Sequence, residues 1–96
     1  MSTEHSKPKK AFFRKLYIAH LIDAGQHNLL SLNKETTMPR RTIQTAMEGF
    51  SDIGIEHEFV QDGERNRHGY YRIINWGAID RRWIERNLQT IIEVLK

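Results

Sequence analysis

Residues 40–45 read Arg40, Arg41, Thr42, Ile43, Gln44 and Thr45, directly after Pro39. A guanidinium donates through a planar fork, and a glutamine amide both donates and accepts, so this run can address base edges and phosphate oxygens if one helix presents it. Arg65, Asn66, Arg67 and His68 form a second polar run, able to straddle a minor groove, with Asp62 and Glu64 beside it to offset its field. Other chemistries find less support. His5, His20, His27, His57 and His68 include no His-x3-His pair, and the chain has no cysteine, so no metal site and no cofactor are expected. Glu56, His57 and Glu58 are neighbours in sequence, but strand alternation sends the imidazole to the face opposite both carboxylates. There is neither a phosphate-binding glycine loop nor a dinucleotide fingerprint, and no catalytic residue is expected.

The elements that must position these groups follow from periodicity. Residues 1–8 carry no apolar pattern and read as a flexible tail. From residue 9 to Ala24, Phe12, Phe13, Leu16, Tyr17, Ala19, His20, Leu21 and Ala24 recur at helical spacing around half the circumference, with Gly25 as a left-handed stop. So broad a face implies two neighbours. Asn28 caps a short second helix to about Thr36, and Pro39 opens a third, with Ile43, Met47 and Phe50 on its inner face and its end near Ile53. Burial of those three leaves Arg40, Arg41, Gln44, Thr45 and Glu48 outside. After Gly54 the period shortens to two, with Ile55, His57 and Phe59 on one side, giving a strand, a polar turn from Asp62 to Gly69, and a second strand through Ile74. Asn75 is expected to cap one last helix carrying Ile79, Trp83, Ile84, Leu88, Ile91, Ile92, Val94 and Leu95.

Helix, helix-turn-helix, strand, wing, strand, helix is the order this yields. Leu29 and Leu32, the run Met38-Pro39-Arg40-Arg41-Thr42-Ile43-Gln44, then Met47, Phe50 and Ile53-Gly54-Ile55 stand at spacings that resemble the winged helix-turn-helix superfamily over residues 12–74. The continuation Asn75-Trp76-Gly77-Ala78-Ile79 is similar to a small family of uncharacterised prokaryotic winged-helix proteins. Thr37 departs from the pattern, because a glycine commonly occupies that turn, and a slightly different turn is implied. The resemblance implies an α+β, mainly helical fold with a two-stranded antiparallel wing and an additional C-terminal helix.

With that fold, double-stranded DNA is the expected partner and sequence-specific transcriptional regulation the expected role. Arg41, Gln44 and Thr45 are the base-edge candidates, Arg40 and Thr42 the phosphate candidates beside the free amides of a helix start, and Arg65, Asn66, Arg67 and His68 the wing contacts. Winged helices also dock on proteins, so an adaptor that never touches DNA is the competing reading.

Length and charge bound these readings. Ninety-six residues make one domain, and 39% hydrophobic with 28% charged residues argues for a folded chain. The net charge is only +3, and residues 28–74 hold six Lys and Arg against seven Asp and Glu. Attraction to an anionic partner must therefore come from local placement, aided by Lys7, Lys9, Lys10, Arg14 and Lys15. No apolar run approaches the roughly 20 residues of a membrane span and no export signal is evident, so a cytoplasmic protein is expected. Residues 9–74 form the expected domain, and residues 75–96 a helix for self-association. Ile84, Leu88, Ile91 and Leu95 follow a 4-3-4 spacing that suggests a homodimer seam, leaving Ile79, Trp83 and Val94 for the domain. The alternative is that the first and last helices pack together within one chain.

Overall fold

The structure is a computed structural model, which describes residues 5–61 and 69–96. Helix α1 spans Lys7–Ala24 and starts two residues earlier than periodicity suggested. Ser6 is the reason: its hydroxyl accepts from the Lys9 amide at 3.2 Å, and Pro8 falls in the first turn, where a missing N–H costs nothing. Gly25 ends the helix with an extended backbone rather than the expected left-handed one, its amide donating to the Leu21 carbonyl at 3.1 Å.

Helix α2, Leu29–Thr36, carries the expected cap. The Asn28 side chain accepts from the Ser31 amide and the Ser31 hydroxyl from the Asn28 amide, each at 2.9 Å, a reciprocal pair that satisfies two otherwise free donors. Thr37 then takes the left-handed conformation with φ 61°, so the turn is of the kind glycine favours despite the different residue. Two side chains of α2 hold the crossing to the next helix. Thr36 Oγ1 accepts from the Met38 amide at 3.1 Å, and Asn33 Nδ2 donates to the Met38 carbonyl at 2.6 Å.

Helix α3 is Arg40–Glu48, with Pro39 before its first turn. It is shorter than expected, because the chain tightens after Gly49 into a single 3-10 turn, Phe50–Ile53, closed by left-handed Gly54 at φ 84°. Strands β1, Glu56–Gln61, and β2, Gly69–Asn75, pair antiparallel with Phe59 opposite Tyr71 and Glu58 opposite Arg72. A register shift between Glu56 and His57 leaves Ile74 unpaired. The Tyr71 amide also donates to the His27 carbonyl at 2.8 Å, tying the sheet to the start of α2.

The C-terminal segment departs most from expectation. Asn75 does not cap a helix: its side chain accepts from the Gly77 amide at 2.8 Å and shapes a turn in which Gly77 has φ 59°. Asp80 provides the cap instead, accepting from the Arg82 amide at 2.9 Å, and opens α4, Arg81–Arg86. The path breaks at Asn87, whose Nδ2 donates to the Trp83 carbonyl at 2.8 Å, before α5, Leu88–Leu95.

Two groups of apolar side chains hold these pieces. Ile18, Ile22, Leu32, Ile43, Phe50 and Ile55 are buried where α1, α2, α3 and the start of the sheet meet. Leu16, Ile84 and Ile91 form the second group, where α1 receives α4 and α5. The two neighbours of α1 implied by its broad apolar face are thus both within the chain. This corrects the proposed seam: Ile84 and Ile91 are fully buried against α1 of their own chain, and Leu88 and Leu95 are half-buried, whereas Trp83 is 39% exposed. The physical reason is that α1 presents Leu16, with Phe13 and Tyr17 beside it, to the same apolar stripe, which is thereby covered within the chain. The order and packing are those of a winged helix-turn-helix with an additional C-terminal helical segment.

Candidate nucleic-acid interface

Helix α3 divides cleanly. Ile43, Ala46 and Met47 are buried, Arg40, Arg41, Gln44 and Thr45 are exposed, and Thr42 is half-buried. At 100° per residue Arg41, Gln44, Thr45 and Glu48 lie opposite the buried stripe. The start of the helix has no side-chain cap, so the amides of its first turn are free to meet an anion, as the helix dipole favours. Neither Arg40 nor Arg41 is in an ion pair among the described residues. The recorded pairs involve Arg72 with Glu58, and Arg81 with Asp23 and Glu85.

Two hollows flank the exposed stripe. On the α1 side a cleft of about 420 Å³ is lined by Ala11, Arg14 and Lys15 together with Arg41, Thr42 and Thr45. On the sheet side a smaller one of about 200 Å³ lies among Gln44, Met47, Glu48, His57 and Tyr71. The fold therefore brings Arg41, Thr42 and Thr45 together on one flank and turns Gln44 toward the other. Arg65, Asn66, Arg67 and His68 lie outside the described residues.

One aromatic contact joins the sheet to the 3-10 turn that follows α3, and another joins the two strands. His57 meets Phe50 edge-on with ring centroids 5.1 Å apart, and Phe59 meets Tyr71 in the same manner at 5.1 Å. Burial pushes the His57 imidazole below its ordinary pKa. Ile55, His57 and Phe59 were expected to share one face, and their burial fades along it: Ile55 is buried, His57 half-buried, and Phe59 48% exposed toward the wing. Glu58 and Arg72, on the opposite face, form a salt bridge at 2.5 Å. Tyr17, beside the turn that precedes α3, is pushed above the usual phenol pKa by burial and then by Glu35.

Sequence reasoning counted Arg14 and Lys15 only as general N-terminal charge and missed that they line the same cleft as Arg41. The available signal was helical spacing, since Arg14 precedes the core residue Ile18 by four positions. Among the described residues no group of His, Asp or Glu side chains could hold a metal ion, and no helix is long and apolar enough to cross a membrane.

Among curated proteins none matches the chain. The crystal structure of a DUF2131 family protein from Shewanella amazonensis is similar to it, with 57% sequence identity and a TM-score of 0.90 over 95% of this chain and 94% of that one. A family model described as winged helix-turn helix matches residues 7–95, nearly the whole of the described fold. That fold points to nucleic-acid binding rather than to catalysis, and the chain belongs to the winged helix-turn-helix family.

Proposed function

We propose that this protein binds double-stranded DNA sequence-specifically through α3 and acts as a cytoplasmic transcriptional regulator. The observation that carries the reading is the N-terminal half of α3, where Arg40, Arg41, Gln44 and Thr45 are exposed on a helix anchored by Ile43, Ala46 and Met47. A major groove about 12 Å wide admits a helix about 10–12 Å across. In this reading Arg41, Gln44 and Thr45 address base edges, while Arg40, Thr42 and the uncapped amides take phosphate oxygens. Glu48 and Asp52 lie at the far end and would face the phosphate backbone if α3 lay flat, so its N-terminal end enters first. Arg65, Asn66, Arg67 and His68 serve as minor-groove contacts.

The reading includes a homodimer, which suits two recognition helices on a palindromic site. With Ile84 and Ile91 occupied within the chain, the side chains that support a contact between two copies are Phe12 and Trp83, exposed, and Leu88 and Leu95, half-buried. The same exposed apolar pair favours a second reading, an adaptor that docks on another protein without DNA.

A mobility-shift assay on genomic fragments at low and moderate salt tests the choice. A regulator gives a shifted species that survives moderate salt on a subset of fragments. Absence of any such species overturns the DNA reading and leaves the adaptor.

A further inference from the structure

We infer that the cleft between α1 and α3 is a second DNA contact, seating a phosphate of the strand that flanks the base pairs addressed by α3, with Arg14 as the clamp. The inference rests on the DNA reading above and adds a site to it. Its starting point is a change of character along one face of α1. Ile18 and Ile22 on that face are buried in the core they share with α3. Stepping back along the same face by four, seven and eleven positions from Ile18 gives Arg14, Ala11 and Lys7. The stripe thus turns from aliphatic to cationic as it reaches the cleft beside the outer half of α3.

The cleft itself is built for an anion. Arg14, Lys15 and Arg41 supply the charge and Thr42 and Thr45 the hydroxyls, and the described lining contains no carboxylate. No ion pair among the described residues neutralises any of the three cations. Its volume of about 420 Å³ far exceeds the roughly 30 Å³ share of one water molecule, leaving room for a sugar-phosphate unit. The wider charge distribution agrees, because residues 7–24 carry five Lys and Arg against one Asp while residues 28–74 have no cationic excess.

Within the cleft the two α1 cations are not equivalent. The Lys15 stem runs over Gly49, with Nζ 3.3 Å from where a β-carbon on that glycine would stand. Its ammonium therefore already serves the C-terminal end of α3, where the helix dipole favours a cation. Among the described residues Arg14 has no such use, and its planar fork suits two oxygens of one phosphate.

The test is equilibrium binding of fluorescent duplexes over a salt series. One lost phosphate contact reduces the slope of log K against log salt by about 0.9 and weakens binding about eightfold near 0.1 M salt. Arg14→Gln should show both effects equally on a shifted fragment and on a scrambled duplex, while Arg14→Lys restores the slope and Arg86→Gln, on α4, changes neither. An unchanged slope in Arg14→Gln, a loss restricted to one sequence, or an equal loss in Arg86→Gln overturns the inference while leaving the DNA reading intact. Should Arg14→Gln lose its helical circular dichroism, wild-type protein and Arg14→Lys are titrated against duplexes carrying single uncharged methylphosphonate linkages. A flanking linkage that costs both about eightfold supports the seat, and no such position overturns it. A wild-type chain that leaves every duplex unbound at low salt removes both proposals together.

Discussion

Gly77 lies against the backbone of Gly54, so close that a β-carbon on Gly77 would stand 2.7 Å from the Gly54 carbonyl carbon. Both residues have positive φ, 84° at Gly54 and 59° at Gly77. Gly54 closes the turn after α3 and Gly77 opens the path to α4, so this contact sets the C-terminal segment against the end of the recognition unit. Gly77→Ala meets left-handed strain of about 1–3 kcal/mol and, in addition, a backbone clash that no side-chain movement relieves. Urea unfolding should show a loss of at least that size, and a change below about 0.5 kcal/mol would contradict the close approach.

Arg41→Ala and Gln44→Ala should each weaken binding to a preferred duplex by about 1–3 kcal/mol while changing binding to a scrambled duplex less. Anisotropy titrations on both duplexes read the difference. Equal losses on the two would reassign these residues from base edges to the backbone. Gln44, on the sheet flank, and Arg41, on the α1 flank, should relax specificity at different base positions.

Ile91→Ala and Trp83→Glu separate the inward face of the C-terminal segment from its outward face. Ile91 is fully buried against α1, so its truncation should cost about 2–5 kcal/mol of the chain's own stability. Trp83 is 39% exposed, and its replacement should act mainly on association. Sedimentation of the intact chain is expected to give twice the 11.4 kDa protomer mass, with Trp83→Glu returning it to one. A wild-type chain sedimenting as a monomer at all concentrations rejects the homodimer and leaves DNA binding to a single copy.

Thr37 carries a left-handed backbone at φ 61°, which for a residue with a β-carbon costs about 1–2 kcal/mol. Thr37→Gly relieves that strain and gives back part of it as unfolded-state entropy. A net gain of about 0.5–1 kcal/mol, or a rise of a few degrees in the thermal midpoint, is expected. Affinity for duplex DNA should not change, because Thr37 belongs to the turn and not to the exposed face of α3.

His57 predicts the direction of a pH effect. Burial lowers its pKa in the folded chain, so below the ordinary histidine value of about 6.5 the unfolded chain binds more protons than the folded one. The stability from the neutral, packed imidazole is complete above that value and is lost as pH falls through the lowered one. Urea midpoints measured from about pH 7.5 down to about pH 5 should therefore decline, and the decline should shrink in His57→Phe. An identical decline in the variant would place the effect elsewhere.

Short-range chemistry was legible in the sequence. The Asn28 cap, the buried Ile43 and Met47 of α3 with Phe50 just after it, the polar outer positions of α3 and the two strands each depend on residues a few positions apart, where capping and helical or strand period operate. Local competition decided the near misses. Ser6 started α1 earlier than its apolar period, and Asp80 displaced Asn75 as a cap because Asn75 was used in the Gly77 turn.

What only the tertiary structure decided involves partners far apart in the chain. Pattern alone suggested a second copy for Ile84 and Ile91 and left Leu16 of the same chain as the alternative, because apolar burial has no direction until a partner is in place. The cleft joining Arg14 to Arg41, and the backbone contact of Gly54 with Gly77, exist only once separate helices are packed at a set distance. Spacing along the sequence specifies which side of a helix a charge occupies, but what faces that charge follows from how the whole core closes.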